Sequence, residues 1–339
     1  MTQRSNPTFV FHNQVSPRYV EPLLIQLQYG QGYSTAQFTG LLRSNGLDVK
    51  GNGIALSNMS TWSLAGLGQI EKRGTRHFKK NVFQLTDLGK QLVDTYSTNS
   101  ELFYDLMHFI FYSAYYRSND VRKGRFWLYA NICDNLWQEA PATIDASALT
   151  NWLQIESRVA FPGYDPSFSE QSVRGVFPWL QSLTPPFLSK SGTGNQLKSA
   201  KRSYCTPQLF HLATDMIYST VEGLQYGASL AINERHIVDI CKTCLLETER
   251  FWDMADLTEM TINGFEIRRG QWGTSFALEG PPTWITLPDF SHEKAQPNMN
   301  EFEDGLKNDQ YSGCPHSRLA RCQMANAHTE NCMGSHPTF

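Results

Sequence analysis

The last stretch of the chain gathers Cys314, His316, Cys322, His328, Cys332 and His336. Thiolate and imidazole donors in that number could hold zinc tetrahedrally, with Cys314, Cys322, His328 and Cys332 as the ligand set. Their spacing matches no zinc-finger pattern, and the neighbouring residues offer little apolar material for a core. The competing reading is a loose polar tail with incidental Cys and His. Apart from that zinc, no cofactor is expected. Cys241-Lys-Thr-Cys244 has no second pair at zinc-finger spacing, so it reads as two small core residues. A different chemistry stands at Lys72, Arg73, Arg76, His77, Lys79 and Lys80. Cations packed this closely neutralise phosphates and release their counterions, which gives affinity for nucleic acid without sequence readout.

The sequence carries none of the common catalytic motifs. The chain has no Gly-x-Ser-x-Gly, no His-Glu-x-x-His and no Rossmann glycine run. Gly192-Thr-Gly194 is followed by no Lys-Ser/Thr, so the phosphate-loop pattern fails. Pro288-Asp289 and Glu293-Lys294 lie too close in sequence to occupy adjacent nuclease strands. His12, His108, His211 and His236 stand alone and read as structural. The chain is therefore read as a non-enzyme. An enzyme with a composite site assembled across domains is the remaining alternative.

The basic run needs a scaffold, and the sequence around it supplies one. Ser34 is a candidate N-cap for a helix with Phe38, Leu41 and Leu42 on one face, and Asn45-Gly46 ends it. A further helix starts after Gly51-Asn52-Gly53 and carries Ile54, Met59, Trp62, Leu64 and Leu67. Strands at Gln69 to Glu71 and Val82 to Leu85 flank the basic run, and a helix with Leu88, Leu92 and Val93 closes the module. From Ser34 to Tyr96 this order resembles the winged helix-turn-helix superfamily. That resemblance makes the helix before the hairpin the groove reader. Its expected outward residues are Asn58, Ser60 and Thr61, none of them Arg or Lys. The module carries eight cations and four anions, a net +4 within a chain of net −3. Double-stranded DNA is the expected partner. Docking of a protein partner is the alternative, favoured by the uncharged third helix.

The expected fold class is mainly α with small β-hairpins (α+β), as tandem winged-helix modules plus a helical C-terminal domain. The expected domains are a winged helix at 1–100, a connecting helical pair at 101–139, and a second, degenerate winged helix at 140–205. A helical domain with a β-hairpin follows at 206–290, then a flexible or metal-supported tail at 291–339. A short strand is expected at Thr8 to His12. The second module would contact DNA through Arg174 on its third helix and through Lys198, Lys201 and Arg202 beside its hairpin. Tyr115, Tyr116 and Trp127 sit near Arg117, Arg122, Lys123 and Arg125, where aromatics could stack on bases. The same helical spacing more often marks core.

A further resemblance stands on Phe9-Val-Phe-His12, Pro17-Arg18, Asn58-Met59 with Trp62, Leu85-Thr-Asp-Leu-Gly89, and the Leu106-Met-His108 and Phe126-Trp127 helical pair. Together they are similar to a bacterial family designated only as a domain of unknown function. Its members are encoded beside DNA-modification and phage-defence genes, sulfur-modification systems among them. The resemblance implies a DNA-binding accessory protein within a multi-component system, and it transfers no catalytic residues. Composition agrees with a chain of several domains: 339 residues, 40% hydrophobic and 12% aromatic. Met1-Thr-Gln-Arg-Ser-Asn-Pro has no apolar core of a signal peptide, and the apolar stretch from Leu102 to Tyr116 is too short to span a bilayer. Seven cysteines without secretory context predict reduced thiols and a cytoplasmic protein, with no membrane partner.

Overall fold

The computed structural model describes residues 9–11, 15–75, 78–116, 124–191, 196–271 and 273–287. The described residues belong to one compact unit. The fold is mixed α and β, with helices and small antiparallel sheets. Its first third runs α1 (Pro17–Leu24), β1 (Tyr33–Ser34), α2 (Thr35–Ser44), α3 (Gly53–Leu64), β2 (Gly68–Thr75) and β3 (Phe78–Leu85). The helices α4 (Asp87–Thr98) and α5 (Ser100–Ser113) follow.

The middle third repeats the opening order: α6 (Gly124–Glu139), β4 (Ala142–Thr143), α7 (Ala146–Ala160), then β5 (Leu188–Lys190) and β6 (Leu197–Ser199). Its third helix is split into α8 (Glu170–Arg174) and α9 (Phe177–Gln181). The last third does so again: α10 (Pro207–Thr220), β7 (Ser229–Ala231), α11 (Glu234–Cys244), α12 (Phe251–Thr261), β8 (Phe265–Gly270) and β9 (Gly273–Leu278). The three sheets have the orders β1-β3-β2, β4-β6-β5 and β7-β9-β8. Each is a hairpin with a short strand added to its returning arm. Helix–strand–helix–helix–strand–strand thus occurs three times. The hairpin expected between 206 and 290 gains a third strand, Ser229–Ala231, too short and polar to announce itself in the sequence.

Local chemistry explains the shared order. In each repeat a strand of two or three residues feeds a helix through a side-chain cap, which satisfies N–H groups that the helix leaves open. Ser34 caps α2 in a reciprocal capping box with Gln37. Asp145 caps α7 by accepting from Ser147 and Ala148, and Asn233 caps α11 by accepting from His236. In the first repeat Phe38, Trp62 and Phe83 meet edge to face, one each from α2, α3 and β3.

The repeats pack through aromatic residues supplied from outside them. Phe9 lies against Trp127, Phe161 and Phe168, and Phe11 against Phe111 and Tyr129. Phe9–Phe11 is not a strand; both rings turn inward, and burial replaces the expected pairing. Trp179 of α9 donates its indole N–H to the Val15 carbonyl at 2.7 Å.

Gly89 fixes how α4 leaves the first sheet. Thr86 caps α4 through Gly89 and donates its hydroxyl to the Gly66 carbonyl. A Cβ at Gly89 would stand 2.0 Å from the Leu67 carbonyl oxygen. Gly89→Ala is expected to destabilise the protein by about 1–3 kcal/mol, because overpacking against backbone outweighs the helix propensity gained. A lower denaturation midpoint in urea at unchanged slope would register this.

Candidate nucleic-acid interface

The β2–β3 hairpin pairs without interruption from Gly68↔Leu85 to Thr75↔Phe78. Lys72 is opposite Asn81, Arg73 opposite Lys80, and Gly74 opposite Lys79. The arms of the hairpin therefore carry the cations to its outer end. The side chains of Lys72, Lys79 and Lys80, and all of Arg76 and His77, lie outside the described residues. Arg73 is exposed and its guanidinium lies 2.9 Å from the Glu71 carboxylate. A surface pair of this kind contributes little to stability.

The α3 helix presents a different face from the one expected. Asn58 is buried and donates to the Ile54 carbonyl at 2.9 Å. Thr61 is buried and accepts from Arg125 Nη1 at 2.6 Å. Both were expected outward. Packing decides against it, because Met59 and Trp62 fill the core and draw their helical neighbours in with them. Ser60 is half-buried. The exposed positions are Gly53 and Leu56, and Leu56 is 47% exposed. The residues α3 offers to a ligand are thus uncharged.

The second hairpin keeps part of its expected charge. Lys190 and Lys198 are exposed on β5 and β6. Lys201 places its ammonium 4.1 Å from the Trp137 ring centre, a cation–π contact. Arg174 is exposed on α8 and pairs with Glu170 at 2.5 Å. Arg202 is not at the surface at all. It is fully buried, 2.8 Å from Asp105 of α5. Its guanidinium also donates to the carbonyls of Thr184, Pro185 and Cys244. The Asp105 carboxylate accepts from the Thr206 amide at 2.8 Å. Sequence reasoning assigned Arg202 to the basic hairpin because it adjoins Lys201. The signal it missed was Asp105, a carboxylate inside an apolar helix that requires an internal partner.

The aromatic stretch beside the basic loop is core in part. Trp127 is buried, and so is Arg125, whose burial lowers its pKa to about 10. Tyr116 is 40% exposed. Residues 117–123 lie outside the described set, as do Cys314, Cys322, His328 and Cys332.

No family model and no curated protein matches the chain. Among solved structures it is similar to SspB, seen in two crystal structures. The magnesium ion-bound SspB structure is 11% identical, with 90% of this chain and 94% of that chain covered and a TM-score of 0.49. The second SspB structure is 12% identical, with 95% and 93% covered and a TM-score of 0.48.

Among the described residues, no group of three or more His, Cys, Asp or Glu side chains is placed to hold a metal ion. Cys241 and Cys244 are buried, and burial pushes the Cys241 thiol up to about 12 and the Cys244 thiol up as well. Such thiols stay protonated and unreactive. A cavity of about 210 Å³ lies between α4, α5, α10 and the segment carrying Trp284 and Ile285. Its polar walls are Gln91, Thr95 and Gln208, and it is smaller than usual sites for drug-sized ligands. No helix among the described residues is long and apolar enough to cross a membrane.

Two outcomes test this buried chemistry. Arg202→Met leaves the Asp105 carboxylate buried without its counter-charge and is expected to cost about 3–5 kcal/mol in chemical denaturation. Adding Asp105→Leu should recover part of that loss. The second outcome concerns pH. His108 is held by the Tyr129 hydroxyl at 3.0 Å and the Thr243 carbonyl at 2.8 Å. Burial, the largest cause, lowers its pKa to about 3. Below about pH 6.5 the unfolded histidine takes up a proton that the folded one refuses. Stability from this site is complete above that pH and is lost as pH falls towards 3. The stability difference between wild type and His108→Gln should therefore shrink between pH 7 and pH 4.

Proposed function

We propose that this protein binds double-stranded DNA through winged helices, as an accessory or regulatory component of a bacterial DNA-modification or antiviral-defence system. The observation that carries the proposal is the first repeat. Its helix–strand–helix–helix–strand–strand order, its β1-β3-β2 sheet and the long hairpin at Gly68–Leu85 support a winged-helix reading. The hairpin bears Lys72, Arg73, Arg76, Lys79 and Lys80 in its sequence. Contact is electrostatic and directed at phosphates, because the neighbouring helix offers neither Arg nor Lys to base edges. Lys190 and Lys198 of the second repeat supply further exposed cations, and Arg174 is exposed beside its partner Glu170. The assignment to a defence or modification system rests on the sequence resemblance alone. The protein acts there without catalysis of its own, reduced and in the cytoplasm.

A second reading has its own observation in favour. The face of α3 with Leu56 and Ser60 suits a protein surface at least as well as a groove. In that reading the winged helices dock partner subunits of an assembly.

A mobility-shift titration of the full chain separates the two. Duplex DNA should bind at 50 mM salt and weaken steeply by 200 mM, by roughly one power of salt for each phosphate contact. Lys79→Glu with Lys80→Glu should abolish binding, whereas Ser60→Ala should change it less than about threefold. No duplex binding at low salt would leave the docking reading standing.

A further inference from the structure

The three repeats share a plan but not a charge. Ser34 to Tyr96 carries net +4. Residues 207–287, which span the third repeat, hold eleven carboxylates against five cations, a net −6. The third hairpin is not a free basic wing. Arg268 is paired with Glu266 at 2.7 Å, and Arg269 is paired with Asp256 of α12.

The α12 helix stands where α3 stands in the first repeat, and it presents a defined face. Trp252, Asp256 and Met260 recur every four residues, with Asp253 beside Trp252. Residues at that spacing lie on one side of a helix. Met260 is 78% exposed and Trp252 is 39% exposed. The indole is not loose: it meets the Phe251 and Phe276 rings edge to face. Asp253 and Glu249 are exposed, and Arg250 pairs with both Asp253 and Glu247. Internal pairing thus offsets some of the carboxylates and leaves a net negative surface around two exposed apolar side chains. A rigid aromatic, a flexible methionine and flanking charge suit a docking face.

We propose that this face docks the β2–β3 hairpin of a second copy of the same chain, joining copies head to tail. Charge complementarity selects the occupant. The chain itself supplies a hairpin whose sequence carries the opposite charge, and that hairpin's apolar residue Ile70 is 37% exposed. The two patches are different surfaces, so each copy keeps one of each available for a further copy. Such a contact is heterologous and grows into chains or closed rings. The same hairpin would meet DNA in the proposed function, so DNA and the neighbouring copy compete for it. The self-association stands independently of that reading.

Sedimentation velocity of the full chain tests the contact. At 50 mM salt the mean mass should rise with protein concentration, and at about 0.5 M salt it should return to that of the monomer, since exposed charges are screened within a few ångströms there. Asp253→Lys with Asp256→Lys should abolish association, and so should Lys79→Glu with Lys80→Glu. An equimolar mixture of those two variants should associate again, because each then carries the charge that the other lacks. Met260→Ser, at an exposed position that leaves the fold intact, should weaken wild-type association several-fold. A monomer at every concentration in low salt overturns the proposal. So does association that survives both reversals, or reversed variants that stay monomeric when mixed while retaining wild-type circular dichroism.

Discussion

The contact between Asp105 and Arg202 holds the molecule's three repeats to one centre. Asp105 belongs to α5, which follows the first repeat, and Arg202 lies just after the second sheet. Arg202 then reaches the end of α11 in the third repeat through the Cys244 carbonyl, and its backbone exchanges hydrogen bonds with Leu245 and Glu247. A fully buried charge pair is costly to desolvate and is tolerable only when its remaining hydrogen bonds are satisfied. Here the carbonyls of Thr184, Pro185 and Cys244 accept from the guanidinium and the Thr206 amide donates to one carboxylate oxygen, while the other rests on its contact with Arg202 alone. Nearby, His108 bonds to Thr243, and Trp137 donates to the Leu246 carbonyl at 2.8 Å. Polar side chains, more than apolar surface alone, set how the third repeat meets the other two. Apolar packing tolerates sliding, while this network has one register.

Much of the first repeat was legible in the sequence. Ser34 announced a cap and formed one, and Val82 to Leu85 announced the returning strand. The periodicity of Phe38, Trp62 and Leu88 placed those residues in the core. What periodicity could not resolve was the orientation of small polar residues between large apolar ones. Asn58 and Thr61 look like surface residues by type, yet their neighbours Met59 and Trp62 pull that side of the helix inward. Arg202 failed for the same reason in reverse. Its neighbours are lysines and serines, and only a distant carboxylate explains its burial. The third repeat was half legible, because strands as short as Ser229–Ala231 carry too few residues to show alternation.

Repetition of a fold with divergence of its charge gives each copy of the plan a different surface. The first repeat is basic in its hairpin and uncharged on its third helix. The second has lost one of its expected cations to the interior. The third has turned acidic, and its hairpin arginines are bound to its own carboxylates. Backbone hydrogen bonds and a few capped helices define the plan, so the exposed positions are free to vary without unfolding it.

The packing of Phe9 and Phe11 carries a consequence for how the chain is made. These residues are made well before the rings that cover them, Trp127, Phe161 and Phe168 among them. The Val15 carbonyl likewise waits for Trp179, 164 residues further on. The first repeat has its own aromatic core and can condense early, while the segment ahead of it stays sticky and uncovered. Contacts between residues so far apart in sequence slow folding and expose apolar surface in the meantime. Newly made chain therefore carries an aggregation-prone segment ahead of the first repeat until the second repeat arrives to bury it.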